Sequence, residues 1–298
     1  MNKKAITRRQ LIKDAARFTV GSALFLNVPF EVVGNSADKK TKVVLIRNNK
    51  LLDNNGNCNP EIMQKMLDDA VLELTGSADI KSAWADLIQP TDIVGIKTNV
   101  WNNLHTPVEL EQAIKARVMG AGVKENNISI KDRGVLNDPV FQKSTALINV
   151  RPMRTHAWSG VGSLLKNYIM FTPRPSAYHD DSCADLAKIW ILPEVKGKTR
   201  LNILVMVTPL FHGVGPHHFN KTYTWPYQGI IVGYDPVAVD SVGLRIIQAR
   251  RSEFFDEETP LNPPAKHIEL ADTRHHLGTA DPQKIDLVKL GYSENSLI

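Results

Sequence analysis

Short β-branched runs and amphipathic stretches alternate along the chain from residue 41 onward. Residues 42–47 (KVVLIR) read as a strand, followed by the turn formers Asp53-Asn54-Asn55-Gly56-Asn57. Over residues 60–74, Met63, Met66, Leu67, Ala70, Val71 and Leu74 recur with the 3.6-residue period of one helical face. Further strands are expected at 92–98 (DIVGIKT), 127–132 (NISIKD), 146–151, 201–207 (LNILVMV) and 229–233 (GIIVG). A helix at 107–119 ends at Gly120 and Gly122, and another starts at Asp235-Pro236, where Asp is the N-cap and Pro the first helical residue. On that helix Asp240 lies at the edge of the polar arc with Ser241, Arg245 and Gln248. Strand–helix alternation predicts an α/β fold with a mainly parallel sheet flanked by helices. Residues 260–264 are Pro-rich, but only 34 residues follow, too few for a typical second domain. One large domain over 38–298 is therefore expected.

Residues 1–37 break the alternation. Lys3, Lys4, Arg8, Arg9 and Lys13 precede an apolar run from Phe18 to Val28, closed by Pro29 and Glu31. A charged start, a short apolar core and a small-residue region are the parts of an export signal. Paired arginines followed by Leu11-Ile12-Lys13 fit the twin-arginine type. The run is shorter than the ~20 residues a membrane span needs, so no stable span is expected. The export machinery is thus an expected partner and the periplasm the expected compartment.

Charge and cysteine content then narrow the function. Of 36 Lys/Arg and 31 Asp/Glu, six basic and two acidic residues lie in 1–37, which leaves 30 against 29. The basic excess belongs to the leader, and the body lacks the imbalance of a nucleic-acid partner. Two cysteines, Cys58 and Cys183, cannot by themselves form a four-cysteine zinc site or hold an iron–sulfur cluster. In an oxidising compartment they could pair, which their separation in sequence leaves open.

Ligands of parallel α/β sheets bind beyond the carboxyl ends of the strands. That rule selects Lys97, Asn99 and His105 after the second strand, Asp132 and Arg133 after the third, Arg151 and His156 after the fourth, and His212, His217 and His218 after the fifth. Imidazole titrates near neutrality, so His105 and His156 are candidate catalytic groups, with Arg133 beside them. Arg133 or Arg151 can clamp a carboxylate or phosphate bidentately. Lys97, Asn99, Arg151 and Lys166 form the candidate cofactor-binding set. His212, His217 and His218 are candidate ligands for nickel, zinc or copper.

Each has a plainer reading. His105 precedes a helix that Thr106 could cap and Pro107 could begin. The turn Ser159-Gly160-Val161-Gly162-Ser163 offers amides to an anion at a helix start, but neither a P-loop nor GxGxxG is present. Lys166-Asn167 is either a surface pair or a charge kept for a site. His179-Asp180-Asp181 reads as a helix start with its own acidic cap. The glycine-rich run holding His212, His217 and His218 reads equally as a flexible rim, since no HExxH occurs there.

Val43-Val44-Leu45-Ile46-Arg47, Val94-Gly95-Ile96-Lys97-Thr98-Asn99, His105-Thr106-Pro107, Asp132-Arg133, His156 with Lys166-Asn167, and Asp235-Pro236-Val237-Ala238-Val239-Asp240 resemble the bacterial domain of unknown function family 362, a likeness expected over nearly all of residues 41–290. Some relatives carry iron–sulfur modules, for which this chain has no cysteine motif, and that association would make it an accessory protein of a redox complex. His156, Ser159-Gly160, Lys166 and His179 are also similar to the nickel-pincer lactate racemases. That likeness implies Lys166 as the cofactor tether, His179 as a nickel ligand, and His105 and His156 as proton-exchanging bases. Val161 stands where those enzymes have the second glycine of a Ser-Gly-Gly element. The expected function is a periplasmic enzyme using a metal or organometallic cofactor on a small anionic molecule. The alternative is a non-catalytic carrier of metal or small ligand, with His212, His217 and His218 as its ligands.

Overall fold

Successive residues of a strand point to opposite faces, so each strand contributes to two different cores. The computed structural model describes residues 40–298 apart from 214, 216 and 217, and the leader lies outside the described residues. Its strands are β1 (Thr41–Arg47), β2 (Val94–Lys97), β3 (Ile128–Lys131), β4 (Ala146–His156), β5 (Gly160–Gly162), β6 (Thr199–Leu210), β7 (Gly229–Gly233) and β8 (Ile285–Gly291). They form one sheet in the order β3-β2-β4-β6-β7-β1-β8, with β5 folded back antiparallel on the end of β4. Neighbours β3/β2, β2/β4, β4/β6 and β1/β8 are parallel, and β7 runs against both β6 and β1. The mainly parallel α/β fold expected from the alternation is what the chain adopts.

One face packs Val44, Ile46, Ile96, Ile148, Val150 and Ile203 against α1 (Pro60–Thr75), α2 (Ile80–Leu87) and α3 (Val108–Gly120). The other packs Val43, Leu45, Leu147, Met153 and Leu204 against α4 (Leu164–Asn167), α5 (Pro236–Phe255) and α6 (Lys266–Thr273). Period two then settles where the polar strand residues go. Ile96, Ile148 and Val150 belong to the first face, so Lys97, Asn149 and Arg151 face the second, inside the protein.

β4 continues five residues past its expected end at Arg151. Proline lacks an N–H and is disfavoured in a central strand. Here β2 pairs with β4 only as far as Asn149, so Pro152 lies beyond that ladder. The register on β6 shifts between Pro152 and Arg154. The extension carries Arg154 and His156 inward. α2, β5, α6 and β8 were not signalled by periodicity.

Two expected helix starts are corrected. Pro107 takes the N-cap position of α3, while Thr106 Oγ1 accepts a hydrogen bond from Asn99 N at 3.2 Å and ties down its own loop. No capped helix grows from His179: Asp181, Ser182 and Cys183 have φ of 51°, 57° and 63°, the left-handed region, and no side chain caps the turn.

The Asp235 cap is as expected. Its Oδ1 accepts from Val237 N at 2.8 Å and Ala238 N at 3.1 Å, and its Oδ2 accepts from Thr279 N at 2.8 Å. One carboxylate thus caps α5 and holds the segment leading to β8. Losing an N-cap costs ~1 kcal/mol, and stranding a further amide adds about as much. Asp235→Ala should lower the unfolding free energy in urea by about 2 kcal/mol. A loss below about 0.5 kcal/mol would show that water replaces both roles.

Candidate functional site

At the carboxyl ends of β2 and β4 a set of charged side chains is buried together. Lys97 is 0% exposed, Arg151 5%, Arg154 4%, His156 6%, Lys166 3% and Asp240 0%. Lys97 Nζ donates to Asp132 Oδ1 at 2.8 Å, to Thr98 O at 2.8 Å and to Asn167 Oδ1 at 3.1 Å. Burial pushes its pKa down to about 8 against the opposing pull of Asp132. Asp132 also accepts from Val100 N at 3.1 Å; burial alone would raise its pKa, but Lys97 and that amide outweigh it and hold the carboxyl below its ordinary value.

Asn167 joins this pair to the sheet. Its Nδ2 donates to Lys97 O, Asn149 Oδ1 and Val150 O at 3.1, 2.8 and 3.1 Å. Asn149 Nδ2 donates to Asn202 Oδ1, and Asn202 Nδ2 to Tyr234 O. The Lys166-Asn167 pair is therefore interior, and the surface reading is corrected.

The anion expected at the start of α4 is supplied by the protein. Asp240 accepts from Ser163 Oγ at 2.6 Å, Leu164 N at 2.9 Å and Leu165 N at 2.9 Å. Complete burial raises its pKa to about 6 despite these donors. Asp240 thus leaves the polar arc of α5 and fills the amide pocket that a ligand was expected to occupy.

The guanidinium groups are different. Arg154 donates to Asn99 Oδ1 at 2.9 Å and lies 4.6 Å from the Trp101 ring centroid, yet its buried Nε has no acceptor. Arg151 has no side-chain hydrogen bond among the described residues, and its buried Nε is likewise without an acceptor. The other buried arginines set the contrast. Arg251 donates to Thr259 O, Phe211 O and Pro260 O, and Arg47 to Tyr227 O and Glu294 O. Arg47 and Arg251 are wrapped in carbonyls, and Arg250, whose Nε also lacks an acceptor, still has Glu253 on its Nη1; Arg151 has neither. Gly162 leaves it room, since a Cβ there would lie 2.8 Å from Arg151 Nη2.

His156 Nδ1 accepts from Trp158 N at 3.2 Å, so its neutral ring carries the proton on Nε2. Burial first, then Lys166, Arg151, Arg154 and His179, drive its pKa far down. Lys166 Nζ donates to Cys183 Sγ at 3.3 Å and is pushed down to about 8, mainly by burial. His179, half-buried, stacks on Trp158 with ring centroids 4.3 Å apart. His267 on α6 is fully buried with neither ring nitrogen partnered; burial, Lys166 and Arg151 lower its pKa to about 3.

Other expected residues lie apart from this cluster. Asn99 reaches it through Arg154. Arg133 is exposed beyond Asp132, where its charge bears on Lys97. His105 is exposed and lines a separate cleft of about 320 Å³ with Cys58, Glu109 and Thr208. His212 Nδ1 is 3.0 Å from Arg251 Nη1, an N–H donor that occupies that nitrogen. His218 is exposed and His217 lies outside the described residues. Among the described residues no three His, Cys, Asp or Glu side chains are grouped to hold a metal ion. Cys58 and Cys183 are both free thiols. Among the described residues no helix is long and apolar enough to cross a membrane.

The chain is an α/β protein with a parallel-centred sheet and charged groups converging beyond its carboxyl edge, the place where ligands of such sheets bind. Within it, residues 108–245 match the family model described as Domain of unknown function (DUF362), which supports the family resemblance of the motifs. The match spans Asp132, Arg151, Arg154, His156, Lys166 and Asp240, and excludes Lys97 and His267. No curated protein and no solved structure matches the chain.

Two neutral histidines in this cluster make a pH dependence. Both have depressed pKa values in the fold and ordinary ones, near 6.5, when unfolded. Below that pH the unfolded chain binds more protons, so stability is present above about pH 6.5 and is lost as pH falls. Each contributes a slope of up to about 1.4 kcal/mol per pH unit. Asp240 has the opposite sign between about pH 6 and its ordinary value, and offsets one of them. Urea unfolding between pH 7 and pH 4 should therefore show stability falling with acid. His267→Leu should flatten that slope; an unchanged slope would contradict a neutral buried His267.

Proposed function

We propose that the chain is an exported enzyme that binds a small anion on Arg151 and Arg154 and transfers a proton on it. The observation that carries this reading is the pair of buried guanidinium groups whose Nε atoms have no acceptor. Each nearby carboxylate is already engaged, Asp132 by Lys97 and Asp240 by the start of α4. A buried cation without an acceptor costs several kcal/mol, which an anionic ligand would offset. The leader pattern of Arg8-Arg9 and the apolar run supports export by the twin-arginine route to the periplasm.

The roles of the other groups follow from their protonation. With Nδ1 accepting from an amide and cations on several sides, His156 is a poor proton acceptor. Its neutral Nε2–H is instead a donor to charge that develops on a ligand oxygen. Lys166, with a pKa of about 8, is mostly charged near pH 7 but has a minor neutral fraction that an unshifted lysine lacks, and it is the candidate base. The two groups together suit removal of a proton next to an acid group. The metal expectation is not carried into this reading, because Lys166, Arg151 and Arg154 around His156 repel a divalent cation.

Incubation of the protein in D₂O with a panel of small carboxylates and phosphate esters tests this by proton NMR. The expected result is deuterium uptake at a C–H beside the acid group of at least one compound. Lys166→Met should slow it at least 100-fold when the rates are compared at saturating ligand. Binding without exchange for every anion bound would instead favour the non-catalytic small-ligand carrier.

A further inference from the structure

The cluster also specifies the charge of its ligand. Four cationic side chains, Lys97, Arg151, Arg154 and Lys166, are buried together with only two carboxylates, Asp132 and Asp240. Burial lowers the pKa of both arginines, Arg151 to about 10 and Arg154 well below its ordinary value, with Arg151 adding to the second, but a guanidinium keeps its proton at neutral pH. The histidines add nothing, since His156 and His267 are neutral there. Between about pH 6 and pH 8, where both lysines are mostly ammonium ions and Asp240 is mostly a carboxylate, the interior holds two more positive than negative charges.

The surplus sits on particular groups. Asp132 is bound by the Lys97 ammonium, and Asp240 by a hydroxyl and two amides of α4. Neither carboxylate makes a hydrogen bond to Arg151 or Arg154. Each guanidinium retains a buried Nε without an acceptor, and His267 adds two unpartnered ring nitrogens in a fully buried side chain near Arg151 and Lys166. Arg151 Nη2 and His156 Cδ2 both pack onto Gly162, where a Cβ would lie 2.8 and 3.4 Å from them, so the two groups share one surface. A monoanion would leave one buried cation uncompensated, whereas a ligand with two charges neutralises the cluster.

We infer that the ligand of this site is a small dianion held by the Arg151 and Arg154 guanidinium groups together. This rests on the anion-binding reading above. Two chemistries share that description, a tetrahedral oxyanion such as a phosphate or sulfate group and a short dicarboxylate. Arginine forks suit both, because each presents paired oxygens to parallel N–H groups.

Isothermal titration at pH 7 and constant ionic strength, with sulfate, inorganic phosphate, malonate, acetate and formate as probes, tests the inference. At least one dianion should bind tenfold or more tightly than either monoanion. Arg151→Gln and Arg154→Gln should each weaken that binding at least tenfold while thermal unfolding shows both variants folded. Arg151→Lys should weaken it less than Arg151→Gln, as it keeps the charge. Sulfate and phosphate above malonate would identify a tetrahedral oxyanion, and the reverse order a dicarboxylate. Monoanions binding as tightly as dianions, with the same loss in both glutamine variants, would overturn the dianion and leave the anion site standing. No binding by any probe, or binding unchanged in both glutamine variants, would overturn both.

Discussion

The Lys97 ammonium has no exposed surface, and the interior is arranged around keeping it charged. An ammonium taken out of water needs acceptors for its three protons and a countercharge. Thr98 O, Asp132 and Asn167 supply them from the end of β2, the end of β3 and helix α4. Asn167 then reaches β4, Asn149 reaches β6 through Asn202, and Asn202 reaches the carbonyl that follows β7. A polar ladder thus crosses the sheet inside an otherwise apolar layer. Such a network fixes relative positions well only when every member is satisfied, and these side-chain amides are. The edge at which Arg151, Arg154 and His156 emerge is therefore held rigidly.

On that rigid edge two kinds of charge are treated differently. Asp240 fills the helix start that would otherwise attract an anion, and so restricts where a ligand can go. The arginines are left with unused donors, and the imidazole of His156 is kept neutral by burial first and then by the cations around it. On the proposed reading, such a site binds negative charge without first becoming neutral and offers N–H donors that need no reorganisation when charge develops.

Much of this was legible in the chain before its structure. Hydrophobic period two located β1 to β4, β6 and β7, and the carboxyl-edge rule selected Lys97, Asn99, Arg151 and His156. The same rule also selected His105 and Arg133, which are exposed, because sequence order cannot say which face of the sheet a loop turns toward. Arg154 escaped notice because Pro152 suggests the end of a strand; only the short β2 partner makes the proline harmless. Asp240 was placed at the rim of a polar arc, since its partners come from about 75 residues earlier, at Ser163 to Leu165. β8 could not be read because it is an edge strand with mixed burial, set by pairing with β1 at the other end of the chain. His267 has no local signal at all: its significance lies in having no partners.

Selenate, a tetrahedral dianion with an anomalous X-ray signal, probes the central claim directly. Crystals grown without sulfate or phosphate and soaked in selenate should show an anomalous peak within hydrogen-bond distance of both Arg151 and Arg154. If the site instead selects dicarboxylates, malonate soaked in the same way should appear as density bridging the two guanidinium groups. Crystals in which both soaks leave the cluster empty, with Arg151 turned onto Asp132 or Asp240, would contradict the account.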